Sequence, residues 1–122
     1  MRIGVKNHNW GKEIIGHTNM GKTSMAYGLA LKSLGWGKTV LLATDDVDAK
    51  ELFKAFTNVI IVPALAIEVV KAVRAHQFDI VILDCVRSSN EKKDEMIRIL
   101  VADGVQIYLF RAAMRNEMVG EV

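Results

Sequence analysis

Gly16-His17-Thr18-Asn19-Met20-Gly21-Lys22-Thr23 is the stretch that decides how the rest of the chain is read. Two glycines frame four variable positions and are followed by a lysine and a hydroxyl residue, the pattern G-x-x-x-x-G-K-[ST]. At average composition such a match arises roughly once in a few hundred chains of this length. Each residue type has a physical task. Glycine at 16 and 21 lets the backbone wrap, so that successive N–H groups point at one anion. A helical period begins at Lys22, which aims the positive end of a helix dipole at the same anion. Lys22 then supplies an ammonium for the outer phosphates of a nucleotide, and the Thr23 hydroxyl a ligand for Mg²⁺. The expected cofactor is ATP or ADP with Mg²⁺, held by Gly16, His17, Thr18, Asn19, Met20, Gly21, Lys22, Thr23 and Ser24. The competing reading is a glycine-rich strand-to-helix turn with a solvated lysine.

Working outward, apolar runs and helical periods alternate. Asn7-His8-Asn9-Trp10-Gly11 resembles a hairpin turn leading into Glu13-Ile14-Ile15. Met25, Ala26, Leu29, Ala30 and Leu34 recur at helical spacing over Lys22–Leu34, closed by Gly35. Buried strands are expected over Lys38–Thr44, Asn58–Val62, Asp79–Asp84 and Val105–Phe110, each built on a continuous apolar run. Between them lie a helix from the Asp45–Asp48 cap to Phe56, a second from Leu65 to His76, and a third capped by Asn90 and ended by Gly104. Strands and helices alternating in steps of about 20 residues predict βαβ units. The expected fold is α/β: a three-layer α/β/α sandwich with a mainly parallel five-stranded sheet, a P-loop nucleoside-triphosphatase fold spanning residues 1–122 as one domain. Ligands of such sheets bind beyond the carboxyl ends of the strands, which places functional residues after Ile15, Thr44, Val62, Leu83 and Phe110.

Two of those positions carry carboxylates. Asp84 ends the run Ile80-Val81-Ile82-Leu83, where an acid can hold Mg²⁺ directly or through water; common acidic strand ends are the bland alternative. Cys85 and Val86 follow, so the adjacent glutamate that polarises water in many ATPases is missing. Asp45, Asp46 and Asp48 follow the second strand of the alternation; helix capping needs only one of them, and Asp46 is the candidate to orient attacking water. Lys22 and Asp46 are thus the expected catalytic residues, and Thr23 and Asp84 the expected metal ligands. Cys85 reads as an inert buried thiol; Trp10 and Trp36 read as flanking the nucleotide end, packed against helix ends, with stacking on a base as the sharper alternative. Arg111 and Arg115 read as solvated, with a finger toward a neighbour's phosphates or a contact to nucleic acid as the sharper alternatives.

Composition narrows the class. The chain has 122 residues, 51% hydrophobic and 25% charged, which is globular and excludes disordered and collagen-like classes. Sixteen basic against 14 acidic residues give +2, too little to imply nucleic acid or membrane by charge alone. A single cysteine excludes an internal disulfide framework and a cysteine-based zinc site and suits a reducing cytoplasm. No apolar stretch reaches the ~18 residues of a spanning helix.

Gly16–Ser24, Gly37-Lys38-Thr39-Val40-Leu41-Leu42, Asp79-Ile80-Val81-Ile82-Leu83-Asp84-Cys85 and Ala102-Asp103-Gly104-Val105-Gln106-Ile107 together resemble the ParA/MinD family of deviant-Walker-A ATPases, over residues 13–110. The resemblance implies a Mg-ATP switch that dimerises around nucleotide, hydrolyses it slowly and positions DNA, membrane or protein partners. Asp46 would be its switch carboxylate and Asp84 a Mg²⁺ ligand acting from behind the first coordination sphere. His17 stands where that family has a lysine crossing the dimer, and Thr44 where it has an aspartate. Three other functions stay open: a RecA-like ATPase on nucleic acid, a transferase, and a module that binds nucleotide without hydrolysis. The transferase alternative comes from Gly21–Ala30, which looks like the first helix of corrinoid adenosyltransferases. Sheet order discriminates the first two: an acid-bearing strand beside the loop strand favours the switch, one intervening strand the RecA-like class.

Overall fold

Apolar runs of four or five residues are too short to bury a helix, and β-branched content pushes them into strands. The computed structural model describes residues 3–16 and 22–114. In chain order they form β1 (Ile3–His8), β2 (Gly11–Gly16), α1 (Lys22–Gly35), β3 (Val40–Ala43), α2 (Ala49–Leu52), β4 (Val59–Val62), α3 (Ala66–Ala75), β5 (Ile80–Asp84), α4 (Asn90–Ala102) and β6 (Gln106–Ala112). The strands make one sheet in the order β1-β2-β6-β5-β3-β4. β1 runs antiparallel to β2, and every other neighbouring pair is parallel.

The sheet therefore has six strands where the sequence predicts five. The extra one is β1, the first arm of the hairpin, whose Lys6, Asn7 and His8 are exposed and give no apolar run. A polar strand is suited to an edge, where it discourages further pairing. The helix expected over Asp45–Phe56 shrinks to α2, because Asp45 and Asp46 are drawn into tertiary hydrogen bonds instead. The helix cap assigned to Asn90 belongs to Ser89, whose hydroxyl accepts from Lys92 N at 3.3 Å.

Alternation along the strands divides the core between the two faces. Val40, Leu42, Ile80, Ile82, Ile14 and Phe110 pack against Ala26, Ala30 and Leu34 of α1 and against Phe53. Leu41, Ala43, Val81, Leu83 and Ile107 pack against Val69 and Val73 of α3 and Met96 and Leu100 of α4. Both faces of β3 and β5 are fully covered, which explains their unbroken apolar sequence. With five strands parallel, their carboxyl ends share one edge of the molecule, and the start of α1 lies over it.

Candidate functional site

The lysine, threonine and aspartate singled out by spacing converge at that edge. Lys22 opens α1 and is 7% exposed, with Nζ 3.4 Å from the carbonyl oxygen of Gly16 at the end of β2. Thr23 donates its hydroxyl to Asp84 Oδ2 at 3.1 Å, across 61 residues of sequence. No acidic side chain stands in the first turn of α1, so its dipole is not neutralised from within. Ser24 is exposed on the same turn. His17, Thr18, Asn19, Met20 and Gly21 lie outside the described residues, as does Arg115.

Asp84 is 6% exposed, and its two oxygens differ. Oδ2 accepts from Thr23 and, at 2.8 Å, from the hydroxyl of Thr44. Oδ1 is buried and has no hydrogen-bond partner among the described residues. A buried carboxylate oxygen without a donor is costly unless a cation or donor arrives. Thr23, Asp84 and this orphaned oxygen fit a hard divalent cation of the Mg²⁺ type, which takes oxygen ligands and keeps much of its water. No cluster of three or more His, Cys, Asp or Glu side chains arranged for a metal exists among the described residues. A Mg²⁺ bound here would therefore rely on phosphate and water for its remaining ligands.

Thr44 was legible only as a departure from a family pattern, yet it joins the two carboxylates. Its oxygen also accepts from Asp46 N at 3.2 Å. Asp46 Oδ2 receives the Tyr27 hydroxyl at 2.6 Å, and Asp46 Oδ1 the backbone N–H of Asp48 at 3.0 Å. Those two bonds hold the Asp46 carboxyl below its ordinary range, while burial and the Asp46 charge push the Tyr27 phenol far above its own. Asp46 is ionised at neutral pH and immobilised at the mouth.

Asp45 takes a different partner. Arg87 grips it through two nitrogens, Nε on Oδ2 and Nη2 on Oδ1 at 3.1 Å. Asp45 Oδ1 also accepts Ala64 N at 3.1 Å, and Arg87 N donates to Ala64 O at 2.8 Å. The loops after β3, β4 and β5 are thereby fastened together. Arg87 lowers the Asp45 pKa. Thr23, Thr44, Asp45, Asp46, Asp84, Cys85 and Arg87 line an open cavity of about 410 Å³.

Several expectations are corrected. Cys85 is exposed at this mouth rather than buried, because its left-handed backbone (φ 57°) turns the chain out of β5. Burial of part of the thiol and the neighbouring Asp84 charge raise its pKa, so it remains a poor nucleophile. Arg111 is neither solvated nor a free finger: it pairs with Glu13, with side chains 19% and 12% exposed. Trp36 follows the carboxyl end of α1, at the amino edge of the sheet, where Lys32 covers its ring at 4.9 Å. Trp10 sits in the β1–β2 turn before β2, stacked on His8 at 4.4 Å. Neither tryptophan is at the strands' carboxyl ends. Comparison with protein-family models and with curated proteins finds no match. No helix among the described residues is long and apolar enough to cross a membrane.

Proposed function

We propose that the chain is a Mg²⁺-dependent, nucleotide-binding ATPase of the P-loop type, with its helices and sheet stacked as a three-layer sandwich. The observation that carries this is the hydrogen bond from Thr23 to Asp84, with the second oxygen of that carboxylate buried and without a hydrogen-bond partner among the described residues. A structural turn would have no need to bring a hydroxyl at the start of α1 and an acid at the end of β5 together inside the molecule. Lys22 binds the outer phosphates and Asp46 orients water on their far side. Mg²⁺, when bound, neutralises phosphate charge.

Between ATPase classes, the sheet order favours the RecA-like alternative. β6 lies between the loop strand β2 and the acid-bearing strand β5, whereas the ParA/MinD reading expects those two side by side. An action on nucleic acid belongs to that alternative. The adenosyltransferase reading rests on the α1 sequence alone. Hydrolysis is slow, since the residue after Asp84 is a cysteine and no adjacent carboxylate polarises water. The open mouth favours a homodimer or larger homo-oligomer in which a neighbour excludes water.

Titration calorimetry with ATP and Mg²⁺ tests the assignment. Lys22→Ala removes the buried ammonium and abolishes binding. Unchanged affinity in that variant refutes the reading. Light scattering with a non-hydrolysable ATP analogue tests the oligomer, which a monomer at saturating nucleotide rules out.

A further inference from the structure

We propose that Arg87 is the terminal-phosphate sensor of this site, held on Asp45 until a nucleoside triphosphate displaces it. The inference rests on the nucleotide-binding reading above and assigns a residue that neither spacing nor motif marks.

Four observations converge. Among the described residues that line the cavity Arg87 is the one cation, against the carboxylates of Asp45, Asp46 and Asp84. A guanidinium that grips a carboxylate through two nitrogens has the fork geometry that also grips a phosphate. The pair is half-open to water, with side chains 59% and 40% exposed, and such pairs cost little to open. Finally, the sheet order sets the two partners at the ends of β5 and β3, beyond β2 and the Gly16 that ends it. β2 ends at Gly16, β6 and then β5 follow, and Asp45 succeeds β3 beyond them. A phosphate chain anchored at Lys22 and Thr23 reaches Arg87 with its last phosphate, not its first.

Opening the pair has a structural consequence. Asp45 and Arg87 are both tied to Ala64, one through Oδ1 and the other through its backbone N–H. Moving the guanidinium to phosphate leaves Asp45 with Ala64 alone and relaxes the strap between the loops after β3 and β5. The same exchange frees a carboxylate beside Asp46 when a triphosphate is bound and restores the clasp after the terminal phosphate leaves. Discrimination between triphosphate and diphosphate is built from side chains of one chain.

Calorimetry on the full chain with Mg²⁺, using ADP and a non-hydrolysable ATP analogue, separates the outcomes. Arg87→Ala weakens the triphosphate analogue at least ~10-fold and leaves ADP unchanged. Asp45→Asn releases the guanidinium and tightens the triphosphate about threefold, again without effect on ADP. Arg87→Lys keeps the charge but not the fork and falls between wild type and Arg87→Ala. Equal loss for both nucleotides, or no loss in Arg87→Ala, overturns the sensor while wild-type binding keeps the nucleotide reading. Absence of any binding by the wild type overturns both. Circular dichroism of each variant is expected to match the wild type, as Arg87 is exposed.

Discussion

Thr44 is the hinge of the site at the residue scale. Its buried hydroxyl donates to Asp84 and accepts from Asp46 N, so one oxygen sets the position of both carboxylates. Thr44→Val keeps the shape and removes both bonds. A hydrogen bond to an ionised group contributes about 1.5–3 kcal/mol net, so a thermal-denaturation loss of that order is expected. Mg-dependent nucleotide affinity falls as well, whereas Thr44→Ser restores most of both. A Thr44→Val protein with wild-type stability and Mg²⁺ dependence rules this role out. A fixed spacing and an apolar run mark Lys22, Thr23 and Asp84 in the sequence, and the fold brings them to one edge. The sequence could not reveal Thr44 and Tyr27 as partners of Asp84 and Asp46, because threonine and tyrosine are common and these contacts span 40 and 19 residues. Arg87 was hidden likewise, 42 residues from the acid it holds.

At the scale of elements, legibility followed burial. β3 and β5 are covered on both faces, and their continuous apolar runs announced them. β1 is an exposed polar edge, visible only through its turn, and α2 is short because its acids found tertiary partners stronger than a cap. The β1–β2 hairpin depends on one glycine. Gly11 has φ +154°, and a Cβ there would lie 2.1 Å from the carbonyl oxygen of its β6 register partner, Ile107. Neither atom can yield, since both belong to paired backbone. Gly11→Ala must therefore separate β2 from β6 at the end remote from the site. Its expected cost is about 3 kcal/mol or more, at the high end for a single substitution. Chemical denaturation measures it, and a loss under ~1 kcal/mol would show that the register is not fixed at Gly11.

Across the whole molecule, four carboxylates act as clamps, and their distribution predicts the response to acid. Glu13 bridges the hairpin to β6 through Arg111 and to β1 through His8 Nε2 at 2.8 Å. Asp79 accepts Thr39 N at 2.9 Å and Thr39 Oγ1 at 3.0 Å, joining the starts of β3 and β5. Asp45 ties the loops at the opposite edge, and Asp46 is held by Tyr27. All four have pKa values lowered in the fold. For Glu13, burial works to raise the value, and the bonds from Arg111 and His8 outweigh it. A carboxyl that is a stronger acid when folded contributes stability above its unfolded pKa and loses it as pH falls through the folded one. Stability from these groups is therefore level above about pH 5 and declines below about pH 4. Asp45 and Asp79 are exposed and Asp46 is half-buried, so solvent weakens their share and Glu13, with its side chain 12% exposed, dominates the slope. Glu13→Gln is expected to lower Tm at pH 7 and to converge on the wild type as the pH falls through the lowered folded pKa, below which the native carboxyl is protonated too. Calorimetric scans across that range decide it. A Glu13→Gln protein that loses Tm below pH 4 as steeply as the wild type would assign the acid sensitivity to the other three carboxylates.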